Sequence, residues 1–230
     1  MYLTPLQLEA VKKGTLAERP ASSIEGTLYY TTDTQELYLY TTQGWILPAT
    51  PPAVVASVTP TNSGSGRAFN NGRASISFTQ PATAGVALTY TAIATPVGGG
   101  ATFNATGSAS PVIVTGLASN TSYTYTITGA NSYGQTITTS SASVLSTTVP
   151  QAPTSVSGTT ANASSSVSVT AGATGGSAIT SFTVTPYIAG VAQTGLIASN
   201  SSSPVSVTGL TNGTAYTFTA TATNANGTSA

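Results

Sequence analysis

The chain has 230 residues, of which only 4% are charged, and it contains no histidine and no cysteine. Five basic and five acidic side chains all precede position 74, so residues 74–230 have no ionised side chain at neutral pH. Acid–base catalysis and metal sites draw on His, Cys, Lys or carboxylates, and nucleic-acid binding draws on a basic surface. The composition therefore argues against an enzyme, a metal- or cofactor-dependent protein and a nucleic-acid binder.

No stretch of the sequence reaches the roughly 20 apolar residues of a membrane-spanning helix. Residues 1–30 contain no continuous apolar segment of the kind found in secretion signals, so we expect neither membrane insertion nor a cleavable signal. Thr, Ser, Gly and Val dominate the composition, which is typical of strands joined by tight turns. We predict a mainly β fold.

Residues 1–14 have the pattern of a short helix. Thr4 is the predicted N-cap, Pro5 the first helical residue, Gln7 the partner in a capping box, and Gly14 the end. A helix of this length is unstable alone in water, so it must dock on the neighbouring strands or on a partner chain. The candidate docking residues are Leu3, Leu6 and Ala10.

Residues 15–50 predict a small β-meander of three short strands rich in Tyr and Leu. Because side chains alternate along a strand, Leu28 and Tyr30 would share one face, and Leu37 and Leu39 one face of the next strand. A meander of this size buries little surface, so association of several copies would stabilise it. The candidate attachment and oligomerisation residues here are Leu28, Tyr30, Leu37, Tyr38, Leu39 and Trp45.

The spacing of motifs in this segment is recognisable. G-T-x-A-x-R-P at residues 14–20 is followed by G-x-L-Y-x-x-T-D-T at residues 26–34, and then by Leu37-Tyr38 and Gly44-Trp45. The pattern resembles a short module common in bacteriophage tail-fibre and other virion appendage proteins, and the match covers about residues 14–47. The resemblance implies attachment to other virion proteins through residues 1–50, assembly as a homotrimer, and a place on the surface of the phage particle.

Residues 51–230 contain one sequence unit that occurs twice. Val114-Thr115-Gly116-Leu117 recurs as Val207-Thr208-Gly209-Leu210, and Tyr123 matches Tyr216 at the same offset. A period near 90 residues has the size of a domain, and alternating runs between turn residues predict antiparallel β-sandwiches at 51–149 and 150–230. The predicted strands of the first copy are Ala74–Phe78, Leu88–Thr95, Pro111–Val114 and Ser122–Ala130.

The segment from Gly116-Leu117 to Gly134, and its repeat, resembles the region around the fifth and sixth strands of fibronectin type III domains. The resemblance implies that Tyr123 and Tyr216 are tyrosine-corner residues, whose hydroxyls bond back to the preceding loop. It also implies a core Trp on the second strand, a layer that Phe78 and Val169 occupy in this chain. We therefore expect the broader immunoglobulin-like class of sandwich.

The two copies differ at their ends. The first continues into a last strand around residues 136–146, whereas the second stops before the equivalent strand. Either the native polypeptide runs on beyond Ala230, which is the simpler account, or another chain supplies the strand. Proline-rich linkers at residues 48–52 and 149–153 predict an elongated molecule.

Three functions compete on this evidence. The first is a structural subunit of a phage fibre, with the sandwiches as a spacer. The second is an adhesin that binds host-surface glycans weakly, for which Tyr133, Tyr187 and Trp45 are candidate stacking residues, although packing in a core or an interface is the favoured explanation of these aromatic residues. The third is a glycosidase with paired carboxylates, although solvated turns explain those residues. The candidate carboxylates are Glu18, Glu25, Asp33 and Glu36.

Overall fold

The structure is a computed structural model. It describes residues 12–14, 16–21, 28–31, 37–41, 44–46, 52–81, 87–132, 134–137 and 140–230. Within these residues no helix has the length and apolar character needed to cross a membrane.

The N-terminal part forms a four-stranded sheet in the order β1-β2-β3-β4. β1 runs parallel to β2, whereas the β2–β3 and β3–β4 pairs are antiparallel. A single 3-10 turn at Leu16–Glu18 separates the first two strands. The strands are β1 (Lys12–Gly14), β2 (Leu28–Thr31), β3 (Leu37–Thr41) and β4 (Gly44–Ile46).

This sheet corrects one prediction. Lys12–Gly14 was expected to be the end of a helix, and it is a strand that pairs with β2. The edge of β2 offers unpaired backbone groups, and two lysines and a glycine have no apolar stripe to hold a helix in place. The remainder of the predicted helix, including Leu3, Leu6 and Ala10, lies outside the described residues.

The first sandwich consists of two sheets. β5-β6-β9 form one sheet, and β11-β10-β7-β8 form the other, in which β12 also pairs with β10. The strands are β5 (Ala56–Asn62), β6 (Gly72–Thr79), β7 (Thr89–Pro96), β8 (Phe103–Gly107), β9 (Val112–Leu117), β10 (Thr121–Asn131), β11 (Gly134–Ile137) and β12 (Val144–Ser146).

Strict alternation of buried and exposed residues builds the core of this sandwich. Along β6, the small and apolar positions Gly72, Ala74, Ile76 and Phe78 are buried, and the intervening positions face outward or are half-buried. Facing residues from the other sheet close the layer, because both sheets bury their apolar side against each other. Its principal members are Ala74, Ile76, Phe78, Tyr90, Ala92, Ala94, Val112, Val114, Leu117, Tyr123, Tyr125 and Ile127.

The second sandwich repeats the plan. β13-β14-β18 form one sheet, and β16-β15-β19-β20 form the other, in which β17 also pairs with β15. Val167, Val184, Val205 and Val207 are at most 1% exposed at its centre. The strands are β13 (Ser155–Ala161), β14 (Ser164–Thr170), β15 (Ile179–Ile188), β16 (Val191–Ala192), β17 (Ala198–Asn200), β18 (Val205–Thr208), β19 (Thr217–Asn224) and β20 (Gly227–Thr228).

The prediction of a mainly β fold with two antiparallel sandwiches is confirmed. Phe78 and Val169 lie in equivalent core layers of β6 and β14, each under 10% exposed. The last strand of the first copy is divided into β11 and β12, and the second copy has only a two-residue counterpart of β11, which is β20.

Candidate functional site

The motif residues of the N-terminal sheet pack against one another. The guanidinium of Arg19 lies 4.3 Å from the centre of the Tyr38 ring, a cation–π contact. Tyr29 is 4% exposed, and a side chain at Gly14 would overlap its hydroxyl. Gly14, Arg19, Tyr29 and Tyr38 are thus explained by the internal packing of this sheet.

The candidate attachment residues of the meander lie on adjacent strands. The register places Leu28 opposite Leu39 and Tyr30 opposite Leu37, and Trp45 opposite Tyr40 on the next pair. Leu28 and Tyr38 are half-buried. Their role in attachment or trimer formation stays a prediction.

The other sequence candidates are scattered or lie outside the described residues. Glu18 is exposed on the 3-10 turn, and Tyr187 is half-buried on β15. Within the described part of the chain, no three His, Cys, Asp or Glu side chains lie together as a metal site would require. The candidates outside the described residues are Glu25, Asp33, Glu36 and Tyr133.

Both sandwiches contain the hydrogen bond of a tyrosine corner. The Tyr123 hydroxyl accepts a hydrogen bond from Ala118 N at 3.0 Å, and the Tyr216 hydroxyl accepts one from Thr211 N at 3.1 Å. Each bond ties the start of a central strand to the loop before it, over Leu117 in the first copy. These tyrosines are structural residues.

The most elaborate polar arrangement in the described residues is the junction between the sandwiches, which we define as residues 63–71, 146–151, 173–177 and 224–227. Backbone hydrogen bonds cross it from donors in the first sandwich and the connecting segment to carbonyl groups of the second sandwich. Thr148 N donates to Gly175 O at 2.8 Å, and Gln151 N to Ala173 O at 2.9 Å. From the first sandwich, Gly66 N donates to Asn226 O at 2.7 Å.

Two asparagines of the second sandwich donate hydrogen bonds to the segment that connects the two sandwiches, residues 146–151. The Asn224 amide, 4% exposed, donates to Thr148 O and Thr174 O, each at 2.8 Å. The Asn226 amide donates to Thr148 O at 3.1 Å, and Asn226 N donates to Asn224 Oδ1 at 2.8 Å. Buried carbonyls of the connecting segment are thereby satisfied by the second sandwich, which is what couples the two bodies.

The first sandwich contributes a loop that the second lacks. Residues 63–71 join β5 to β6, whereas residues 162 and 163 alone join β13 to β14. Asn70 N donates to Ser119 Oγ at 2.8 Å, and Ser119 N donates to Asn70 Oδ1 at 3.1 Å, so the loop is fixed to its own sandwich. Arg67 O then accepts a hydrogen bond from Val149 N at 3.0 Å.

Glycine is required where the two bodies approach most closely. Gly175 has φ +73°, and a Cβ there would lie 2.5 Å from Val149 O and 2.6 Å from Thr148 O. Sequence reasoning missed the junction, because it aligned the two copies by what they share. The signal was available in what they do not share, the longer loop between the first two strands of the first copy.

A cleft of about 470 Å³ lies beside the junction, lined by Phe69, Val149 and Pro150 among others. The Asn, Thr and backbone groups around it pair with one another, and no residue after position 73 ionises at neutral pH. Deeper in the first sandwich, burial raises the pKa of Tyr125 to about 12 and raises that of Tyr90. The junction can hold two bodies in a fixed relation, and it offers no group for proton transfer near neutral pH.

Comparison with known proteins yields structural likeness only. No protein-family model and no curated protein matches the chain. The FN1–FN3 domains of chicken CNTN1 align with a TM-score of 0.41 and 16% identity, covering 85% of this chain and 73% of that one. Domains from titin align with a TM-score of 0.42 and 17% identity, covering 87% and 73%.

The strand order within each sandwich shows which class of β-sandwich it belongs to. In the first sandwich the first, second and fifth strands (β5, β6 and β9) form a three-stranded sheet, packed on a sheet built around β7 and β10. In the second sandwich β13, β14 and β18 form the corresponding three-stranded sheet, packed on a sheet built around β15 and β19. The two sandwiches are immunoglobulin-like. The fourth strand, β8 in the first copy, pairs with β7, whereas in constant-type immunoglobulin domains the fourth strand joins the other sheet.

Proposed function

We propose that the chain is a structural subunit of a bacteriophage virion appendage. The N-terminal region attaches it to other virion proteins and assembles it as a homotrimer, and the two sandwiches project as a stiff spacer. The tail-fibre resemblance of residues 14–47 supports the attachment role. The junction between the sandwiches supports the spacer role.

The observation that carries the spacer role is the pair of hydrogen bonds that the Asn224 and Asn226 side chains donate to the Thr148 carbonyl. A flexible linker leaves its carbonyls to water, whereas Thr148 is 0% exposed and its carbonyl accepts hydrogen bonds from both asparagines. Each such bond contributes about 1 kcal/mol net, and leaving a buried partner unsatisfied costs about 1–3 kcal/mol. Bending at the junction therefore breaks several bonds together.

The charge pattern supports the same role. The two sandwiches carry only two ionised side chains, Arg67 and Arg73, so the spacer attracts counter-charged surfaces weakly and its internal geometry should depend little on ionic strength. The large apolar side chains exposed in the described residues are aliphatic, whereas a glycan-binding surface of the kind considered above would present aromatic ones. The spacer is the function that these features favour over the adhesin.

Two experiments test the proposal. Gold-labelled antibodies against residues 150–230 should decorate an appendage of the purified particle, and absence of label from intact particles would contradict the virion assignment. Sedimentation of the full chain should give three times the chain mass, whereas a matched chain starting at residue 51 should be monomeric. A full chain that sediments as a monomer would contradict the oligomerisation role of the N-terminal region.

A further inference from the structure

The sequence contains three Asn-Gly pairs, at residues 71–72, 212–213 and 226–227. In such a pair the backbone nitrogen of the glycine can attack the side-chain carbonyl carbon of the asparagine. The five-membered ring that forms expels ammonia, and water then opens the ring to give aspartate or isoaspartate. Glycine favours this reaction because it has no side chain to hinder the approach. The structure distinguishes the three pairs by how freely each can close the ring.

The first pair, Asn71-Gly72, is held in place. Gly72 pairs with Leu117 at the start of β6, and a side chain at Gly72 would overlap Ser146 Oγ. The Asn71 side chain is also fixed, because Arg67 Nη2 donates a hydrogen bond to Asn71 Oδ1 at 2.8 Å. Ring closure here would require the start of a strand to leave its sheet.

The third pair, Asn226-Gly227, belongs to the junction. Gly227 pairs with Asn224 in the hairpin of β19 and β20. Asn226 N donates to Asn224 Oδ1 at 2.8 Å, and the Asn226 amide donates to Thr148 O at 3.1 Å. Thr147 Oγ1 donates to Asn226 Oδ1 at 3.3 Å. Because ring closure would break these bonds together, this pair is protected as well.

The second pair, Asn212-Gly213, lies in an exposed turn, across which Thr214 N donates to Thr211 O at 3.2 Å. Gly213 has φ +82°, and nothing lies within 4 Å of the place that a side chain would occupy. Its backbone nitrogen donates to no acceptor among the described residues. Gly213 N is therefore available as the nucleophile, since no pairing or packing of this glycine has to be broken first.

The carbonyl group that would be attacked in this pair is polarised by a backbone donor. Ala163 N donates to Asn212 Oδ1 at 2.9 Å. Attack on the side-chain carbon places negative charge on this oxygen, so the Ala163 N–H stabilises the charge as it develops. The donor is well positioned, because Asn162 and Ala163 form the two-residue turn between β13 and β14. The leaving nitrogen, Asn212 Nδ2, makes only an exposed hydrogen bond, to Asn162 Oδ1 at 2.9 Å.

We infer that Asn212 is a site of spontaneous modification, at which the folded chain converts an amide into a carboxylate faster than at Asn71 or Asn226. Gly213 N loses its proton to hydroxide and forms a bond to Asn212 Cγ. Nδ2 takes a proton from water and leaves as ammonia. A water molecule then adds to one of the two ring carbonyls and breaks its bond to Gly213 N. The inference does not depend on the virion assignment.

Conversion to aspartate changes the end of the second sandwich at which this turn lies. A carboxylate oxygen replaces Nδ2 and faces Asn162 Oδ1, so two acceptors meet where a hydrogen bond was. Donation from Ala163 N to the other oxygen persists. The carboxylate is also the first ionised side chain after Arg73. The modification therefore gives the neutral part of the chain a charge at the end away from the junction.

Peptide mass spectrometry of the full chain tests the inference. The chain is incubated at mildly alkaline pH in its folded state and, in parallel, unfolded in guanidinium chloride. In the folded chain we expect conversion at Asn212 to be at least about tenfold faster than at Asn71 and Asn226, which must first open locally. In the unfolded chain the three rates should agree within about threefold, because the local differences are gone.

The matched control is Asn212→Gln, whose longer side chain would have to form a six-membered ring and therefore reacts more slowly. Isoelectric focusing should show an acidic form that accumulates in the folded wild-type chain and not in the variant. Equal conversion at the three pairs in the folded chain would overturn the inference, and so would faster conversion at Asn71 or Asn226. Accumulation of the acidic form at the same rate in Asn212→Gln would also contradict it.

Discussion

Single residues decide how the first sandwich responds to pH. In residues 74–149 only tyrosines can titrate, and Tyr125 is the one whose pKa is raised furthest, to about 12. Desolvation of the phenolate is the main cause, and the neighbouring Tyr123 adds to it. The protonated form is therefore favoured by folding, and the stability it contributes is complete below pH 10 and is lost as the pH rises from 10 through 12.

We predict that Tyr125→Phe reduces this alkaline loss. The unfolding free energy of the wild-type first sandwich should be flat between pH 4 and 9 and then fall, by roughly 2 kcal/mol at most once solvent screening is allowed for. The variant should lose less over the same range, because Phe cannot ionise; Phe218 holds the equivalent position in the second sandwich. Denaturant unfolding followed by circular dichroism at pH 8–12 measures this, and equal alkaline slopes for variant and wild type would contradict it.

At the scale of loops and strands, the close approach of Gly175 to the Thr148 and Val149 carbonyls leads to a second prediction. Gly175→Ala should destabilise the chain more than Gly190→Ala. Both glycines have positive φ, +73° and +82°, so each substitution costs about 1–2 kcal/mol in backbone strain. Only at Gly175 would the new Cβ press on two carbonyls, whereas Gly190 has nothing within 4 Å.

The additional cost of Gly175→Ala should be about 1–3 kcal/mol, the usual cost of overpacking. Denaturant unfolding gives the free energies, and hydrogen exchange at the Thr148 amide, which donates to Gly175 O, reports on the junction directly. Faster exchange at Thr148 is expected in Gly175→Ala and not in Gly190→Ala. If both variants lose the same stability, the junction does not have the close packing described here.

The sequence was sufficient for the sandwiches, because alternation of apolar residues and a repeat offset fix which positions face the core. The structural positions of Tyr123, Tyr216, Phe78 and Val169 were implied by the resemblance to fibronectin type III domains. The sequence was insufficient for Lys12–Gly14, where pairing with β2 outweighs a helix-ending pattern. It was also insufficient for the junction, because Asn224 contacts residues in the segment before its own domain and no local pattern reports such a contact.

In the molecule as a whole, the two sandwiches could bend relative to each other at the junction. The hydrogen bonds of Asn224 and Asn226 to Thr148 O, and the longer loop at residues 63–71, lie at this point. The connecting segment is short, and Thr148, Val149 and Pro150 are buried within it. Hydrogen bonds between neutral groups and steric contact hold this segment, so salt should affect it little. Among the described residues, the guanidinium of Arg67 bonds only within its own loop, to Asn71. The two sandwiches should therefore move as one body over a wide range of ionic strength.

The most direct test of this claim is the distribution of distances between the two sandwiches. The chain has no cysteine, so Ser77→Cys on β6 and Ser168→Cys on β14, both exposed positions, allow specific spin labelling for pulsed electron paramagnetic resonance. With the labelled chain diluted into excess unlabelled chain, so that only distances within one chain are measured, we predict one narrow distribution, unchanged between low and high salt. Asn224→Ala should broaden it, whereas Asn212→Ala, which removes an exposed amide at the opposite end of the second sandwich, should not. A broad distribution in the otherwise unaltered chain, or no broadening with Asn224→Ala, would contradict the stiff-spacer account.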